Sequence, residues 1–93
     1  MPNKLYSIVE IIWIDAEEYG DVGWNDLKEQ LAHAKKPCPN MKTVGYMVYE
    51  CAEHVSLLST IGSKEASTIE KIPRAFIKSI TVMTPAPSPK ATK

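Results

Sequence analysis

The run "LYSIVEIIWI" at 5–14 constrains the fold of this chain more than any other stretch. Its β-branched and aromatic residues predict a strand. Side chains alternate across a strand. Leu5, Ser7, Val9, Ile11 and Trp13 therefore share one face, and Tyr6, Ile8, Glu10, Ile12 and Ile14 the other. Both faces are mostly apolar, whereas a half-exposed strand of a small monomer alternates cleanly. This strand needs cover on both sides, and 93 residues supply only a small core. A second subunit is the simplest cover, so the expectation is a homodimer or homotetramer.

The rest of the chain reads as short elements. "DAEEYGDVG" (15–23) is an acidic, glycine-containing loop. "WNDLKEQLAHAKK" (24–36) predicts a short helix with Asn25 as N-cap and Pro37 as its stop. Trp24, Leu27 and Leu31 form its expected inward stripe. "KTVGYMVYE" (42–50) alternates as a strand, with Val44, Tyr46 and Val48 on one face. Gly45 marks a bulge or a close approach. "CAE" is a hairpin turn, "HVSLLST" (54–60) its return strand, and "TIEKI" (68–72) a further short strand. "PRAF" (73–76) predicts one helical turn or a bend, because Pro73 cannot donate to a ladder. "IKSITVM" (77–83) is the last strand. The expected class is mainly β (α+β): a small, strongly bent five-stranded sheet or barrel with one short helix after the first strand. The ending, strand then "IPRAFI" then strand, resembles the close of Sm-like and SH3-like barrels. Residues 1–83 make a single β-rich domain, and the Pro-rich, basic 84–93 a disordered tail.

Charge excludes one large class. Formal net charge is zero, but Lys90 and Lys93 lie in the tail, so residues 1–89 carry a net −2. Gripping long nucleic acid by its phosphates needs a basic face. The first 14 residues carry Lys4 and Glu10 and lack a small-residue cleavage site, and no apolar run approaches spanning length. The expectation is a cytoplasmic protein with no membrane partner, in which Cys38 and Cys51 are reduced.

No nucleophile with a recognisable activating base, no phosphate-binding loop and no metalloprotease motif occurs. The expectation is no enzyme, no catalytic residue and no cofactor. Cys51-x-x-His54 is half of a zinc-type spacing that Cys38 and His33 would have to complete. No second closely spaced pair exists, and the expectation is no metal. What remains is ligand binding by flat and charged side chains. Trp13 and Trp24 flank the acidic loop, Tyr19 lies inside it and Tyr46 sits on a strand; rings of this kind stack on nucleobases. Asp15 can accept hydrogen bonds from a base edge or a sugar hydroxyl. Arg74 is the sole arginine among eleven cations, and its planar fork suits a phosphate. Each also has a structural reading. Tryptophans in small domains are often core anchors. Arg74 can be a surface charge, a gatekeeper on an edge strand, or the partner of an acid such as Glu70 or of a corner carbonyl.

"WID" at 13–15, "GW" at 23–24, "VGYMV" at 44–48 and "IPRAFIKSI" at 72–80 occur in that order. Together they resemble a large group of small phage and prophage proteins with the pattern Trp-x-Asp, Gly-Trp before a short helix, Val-Gly-aromatic, then Ile-Pro-Arg. The resemblance covers most of residues 8–82 and departs from the pattern in the longer "AHAKKPCPNMK" segment. Some such proteins are similar to nucleotide sponges by which phages counter CBASS immunity. The resemblance implies a homo-oligomer that holds a cyclic dinucleotide, such as cyclic GMP-AMP, without cleaving it, in the cytoplasm of an infected bacterium. An Sm-like RNA-binding protein and a protein–protein inhibitor module are the alternatives.

Overall fold

The computed structural model describes residues 6–84; of the expected tail 84–93, residues 85–93 lie outside them, as does Leu5 of the expected first strand. The elements are β1 (Ile8–Ile14), α1 (Leu27–Ala34), β2 (Asn40–Glu50), β3 (His54–Leu58), β4 (Ile69–Pro73), a 3-10 turn (Arg74–Phe76) and β5 (Ile77–Thr84). All strands pair antiparallel in one sheet of order β4-β3-β2-β1-β5. The mainly-β class and the single helix after β1 are as expected; the sheet is open, with β4 and β5 as its edges. Thr84 belongs to β5, one residue beyond the expected end of the last strand.

The corner between the edges bends this sheet. Flat, the outermost strands of five would stand roughly 19 Å apart, at ~4.8 Å per strand. Only Arg74–Phe76 join them, and three residues of 3-10 helix advance ~6 Å. The sheet must coil until the end of β4 approaches the start of β5. Gly45 lets β2 take part in this curvature: a Cβ there would stand 3.0 Å from the Leu58 carbonyl oxygen and 3.3 Å from the Leu57 Cβ.

Register assigns the faces. Val9 pairs with Gly45, Ile11 with Thr43 and Trp13 with Met41 on one side of β1; Ile8 pairs with Tyr46 and Glu10 with Val44 on the other. The core is Val9, Ile11, Val55, Leu57 and Ile72, with Trp13, Met47, Ile77 and Ile80 packed against it. Val44 and Tyr46 do share a face, but it is the outer one, and Val44 is half-exposed there; the register shift between Met47 and Tyr49 interrupts the alternation at Val48. The second apolar face of β1 is likewise only half-covered at Ile8 and Ile12.

The helix departs from expectation. It buries no residue; Trp24 is 100% exposed, Leu27 70% and Leu31 55%. The stripe expected to face inward faces solvent. The N-cap is Asp26, whose carboxylate accepts from the Glu29 N–H. Asn25 instead closes the loop, accepting from the Asp21 N–H and donating to the Asp21 carbonyl, both at 2.9 Å. Gly20 turns that loop at φ 124, a left-handed conformation few other residues adopt.

Candidate functional site

Two places gather polar and aromatic side chains, and the expected site residues divide between them. The first is the loop–helix arm. Tyr19 stacks on His33 with ring centroids 3.6 Å apart, and His33 Nε2 meets a Glu17 carboxylate oxygen at 3.2 Å. Gln30 donates to the Tyr19 carbonyl at 2.9 Å. These contacts fasten the loop to α1 rather than to the sheet. Beside them lies a shallow cavity of about 280 Å³, lined by Tyr19, Asp21, Asn25, Asp26, Glu29 and Gln30. Three carboxylates on its wall oppose the entry of a phosphate. Of the expected ligand contacts only Tyr19 lines it. Trp24 stands fully exposed with its ring displayed to solvent.

The second place is the corner at which β2, β3 and β4 end. The side chain of Arg74 donates from Nε to the Cys51 carbonyl at 3.0 Å and from Nη2 to the Glu50 carboxylate at 2.7 Å. Its backbone N–H donates to the Glu53 carbonyl at 2.8 Å. One residue thus ties the three-residue corner to the tip of the β2–β3 hairpin. Arg74 meets both an acid and a corner carbonyl, as its structural reading expects, but the acid is Glu50 rather than Glu70. No local spacing marks that partnership, because 24 residues separate the two and only the hairpin folds Glu50 back. The Arg74 side chain remains 37% exposed, and its hydrogen bonds among the described residues run from Nε and Nη2, not from Nη1.

Trp13 and Tyr46 occupy the two faces of the sheet. The Trp13 Nε1–H donates to Thr43 Oγ1 at 3.0 Å, and its ring packs against the core. This is the anchoring role tryptophan often takes. Tyr46 is half-buried on the outer face, opposite Ile8 and Leu58. Asp15 follows β1; its carboxylate accepts from the Ala16 N–H at 2.9 Å and its own N–H donates to the Pro39 carbonyl at 3.1 Å. The six residues form no single constellation within one chain. Trp13 and Tyr46 project from opposite faces, and Tyr19 belongs to the arm rather than to the Arg74 corner.

The hairpin tip also holds a pairing seen in sequence only as a spacing. Cys51 Sγ lies 3.5 Å from His54 Nδ1, both part-buried, with the Tyr49 ring 5.7 Å from the imidazole. His33, tied to Glu17 and Tyr19, does not join them, and Cys38 is exposed elsewhere. Among the described residues no three His, Cys, Asp or Glu side chains converge as metal ligands, and no helix is long and apolar enough to cross a membrane. No protein-family model, curated protein or solved structure matches the chain.

Proposed function

We propose that the protein is a non-catalytic, homo-oligomeric binding protein that sequesters cyclic dinucleotides such as cyclic GMP-AMP, in the manner of a phage immune-evasion sponge in the bacterial cytoplasm. The observation that carries this reading is the loop–helix arm. A tryptophan ring wholly in solvent, continued by Leu27 and Leu31 along a helix with no buried residue, is surface that a lone globular chain has no reason to display. A base-stacking platform and a subunit contact both use such surface. The sequence resemblance and the half-covered outer face of β1 and β2 support the same reading. In it the site is shared between subunits: Trp24 and Tyr19 stack on the bases, and the Nη1 edge of Arg74 meets a phosphate while Nε keeps its carbonyl. Trp13, Asp15 and Tyr46 complete the set at the subunit contact. The coiled sheet, with its one-turn corner between the edge strands, is further proposed to be an Sm- or SH3-like barrel left open along the β4–β5 seam.

A thermal-shift screen of cyclic dinucleotides beside linear ones tests the function. A ligand at a hundred times its dissociation constant adds about 2.7 kcal/mol, which moves the midpoint of so small a domain by several degrees. No shift with any cyclic dinucleotide overturns the reading. A shift with oligo-U RNA that collapses steeply with salt would favour an Sm-like RNA-binding protein instead.

A further inference from the structure

We propose that the Cys51–His54 pair is half of a Zn²⁺ site, completed by the same pair from a second copy of the chain. Zinc–sulfur bonds of ~2.3 Å and zinc–nitrogen bonds of ~2.0 Å at a tetrahedral angle hold the two ligand atoms about 3.5 Å apart. Cys51 Sγ and His54 Nδ1 stand 3.5 Å apart in the chain as folded. The separation of the two ligand atoms therefore matches a zinc bite before any ion arrives.

That bite does not serve to hold the turn. The Cys51 N–H donates to the His54 carbonyl at 2.9 Å, and Arg74 ties the Cys51 and Glu53 carbonyls from outside. Backbone bonds and Arg74 fix the hairpin tip, so the thiol and the imidazole are not needed to hold it. The neighbouring acid, Glu50, is neutralised by Arg74. Ala52 and Glu53 are exposed at the tip, and Cys51 and His54 are only part-buried, with the Tyr49 ring beside the imidazole. A thiolate and a neutral imidazole are the ligands a borderline-soft d10 cation selects over calcium or magnesium.

One chain supplies two ligands, and no third converges on them among the described residues. Closed zinc sites need four. Two hairpin tips related by a two-fold axis give Cys₂His₂ with each copy contributing equally. On binding, each thiol releases its proton to solvent and each sulfur donates an electron pair to the ion; no redox step is involved. The inference rests on the homo-oligomeric part of the function proposed above and not on its nucleotide.

The test uses the reduced, tag-free full chain, with Co²⁺ as spectroscopic stand-in and Zn²⁺ as competitor. The expected result is one Co²⁺ per two chains, intense tetrahedral visible bands, a sulfur-to-cobalt charge-transfer band, and loss of all of them on adding Zn²⁺. Cys51→Ser and His54→Gln should each weaken binding at least tenfold, while Cys38→Ser leaves it unchanged. Circular dichroism of each variant checks that it folds. Binding at one ion per chain, binding that survives Cys51→Ser, or no binding by the folded parent overturns the site. If light scattering still shows an oligomer in that last case, the proposed function stands without it.

Discussion

Arg74 is the residue on which most of the corner depends. Its Nε and Nη2 hydrogen bonds bind the turn after β4 to the tip of the β2–β3 hairpin. A hydrogen bond involving a charged group contributes ~1.5–3 kcal/mol, while a largely exposed ion pair such as Arg74–Glu50 contributes ~0–1. Arg74→Ala is therefore expected to lose ~1–3 kcal/mol by urea unfolding. Arg74→Lys should recover less than half, because an ammonium cannot reach the Cys51 carbonyl and Glu50 with one rigid fork. Glu50→Gln should cost no more than about 1 kcal/mol. Calorimetry with a cyclic dinucleotide on the same variants separates the two roles of this residue. Unchanged affinity in Arg74→Ala would remove it from the ligand site while leaving it as the clamp. Gly45 is constrained differently. Its φ is ordinary, but a methyl would press on the Leu58 carbonyl oxygen at 3.0 Å, and a backbone atom inside a ladder cannot step aside. Gly45→Ala should destabilise by ~1–3 kcal/mol, the usual range for overpacking.

At the scale of elements, α1 is held by its own cap and by the loop, not by the sheet. Asp26→Ala removes the bond to the Glu29 N–H, a loss of ~1 kcal/mol to a helix. Because α1 buries nothing within the single chain, that loss should appear as faster amide exchange confined to 27–34, with the global melting midpoint unchanged unless the arm is the subunit contact. A lowered midpoint would mean that α1 packs against something the single chain does not show. The helix is also where the sequence was least legible. Period and capping residues placed it, but an apolar stripe at helical spacing cannot say whether its cover lies in the same chain, and here it does not. The N-cap moved one residue because Asn25 is taken by the Asp21 loop. The strands were legible within two or three residues, since β-branched runs bounded by Pro37, "CAE" and Pro73 leave little choice. The shared face of Val44 and Tyr46 was legible, but its direction was not, and neither was the register shift that takes Val48 out of the alternation. Pairing of Val9 with Gly45 decides which side meets the core, and a glycine carries no hydrophobic signal. Arg74 stood out by its uniqueness, yet its partners required the hairpin to be folded first.

At the scale of the whole molecule, one face of the sheet is sealed and the rest is unfinished. Among the described residues the core holds five buried apolar side chains, four of them fully buried. The outer face leaves Val44 50% and Ile69 47% exposed, and the arm leaves Trp24, Leu27 and Leu31 open. The sheet edges are not the obvious place for a second copy to join. Register shifts interrupt β5 near both of its ends, and Lys78 at one of them and Pro73 at the end of β4 discourage edge pairing. Association should therefore run through the faces or the β2–β3 hairpin tips rather than the sheet edges. Light scattering at micromolar concentration is expected to show a dimer or tetramer for the parent chain. Leu27→Asp with Leu31→Asp should shift it toward monomer if the arm is the contact, and Val44→Lys should do so if the outer face is. All three positions are exposed in the single chain, so neither variant should unfold it; a charge at a surface site usually changes stability by less than about 0.5 kcal/mol. An oligomer that survives both variants would direct attention to the hairpin tips or back to the edges. A parent that is monomeric with and without ligand would mean that these apolar faces serve some other protein, and the shared nucleotide site would lose its basis.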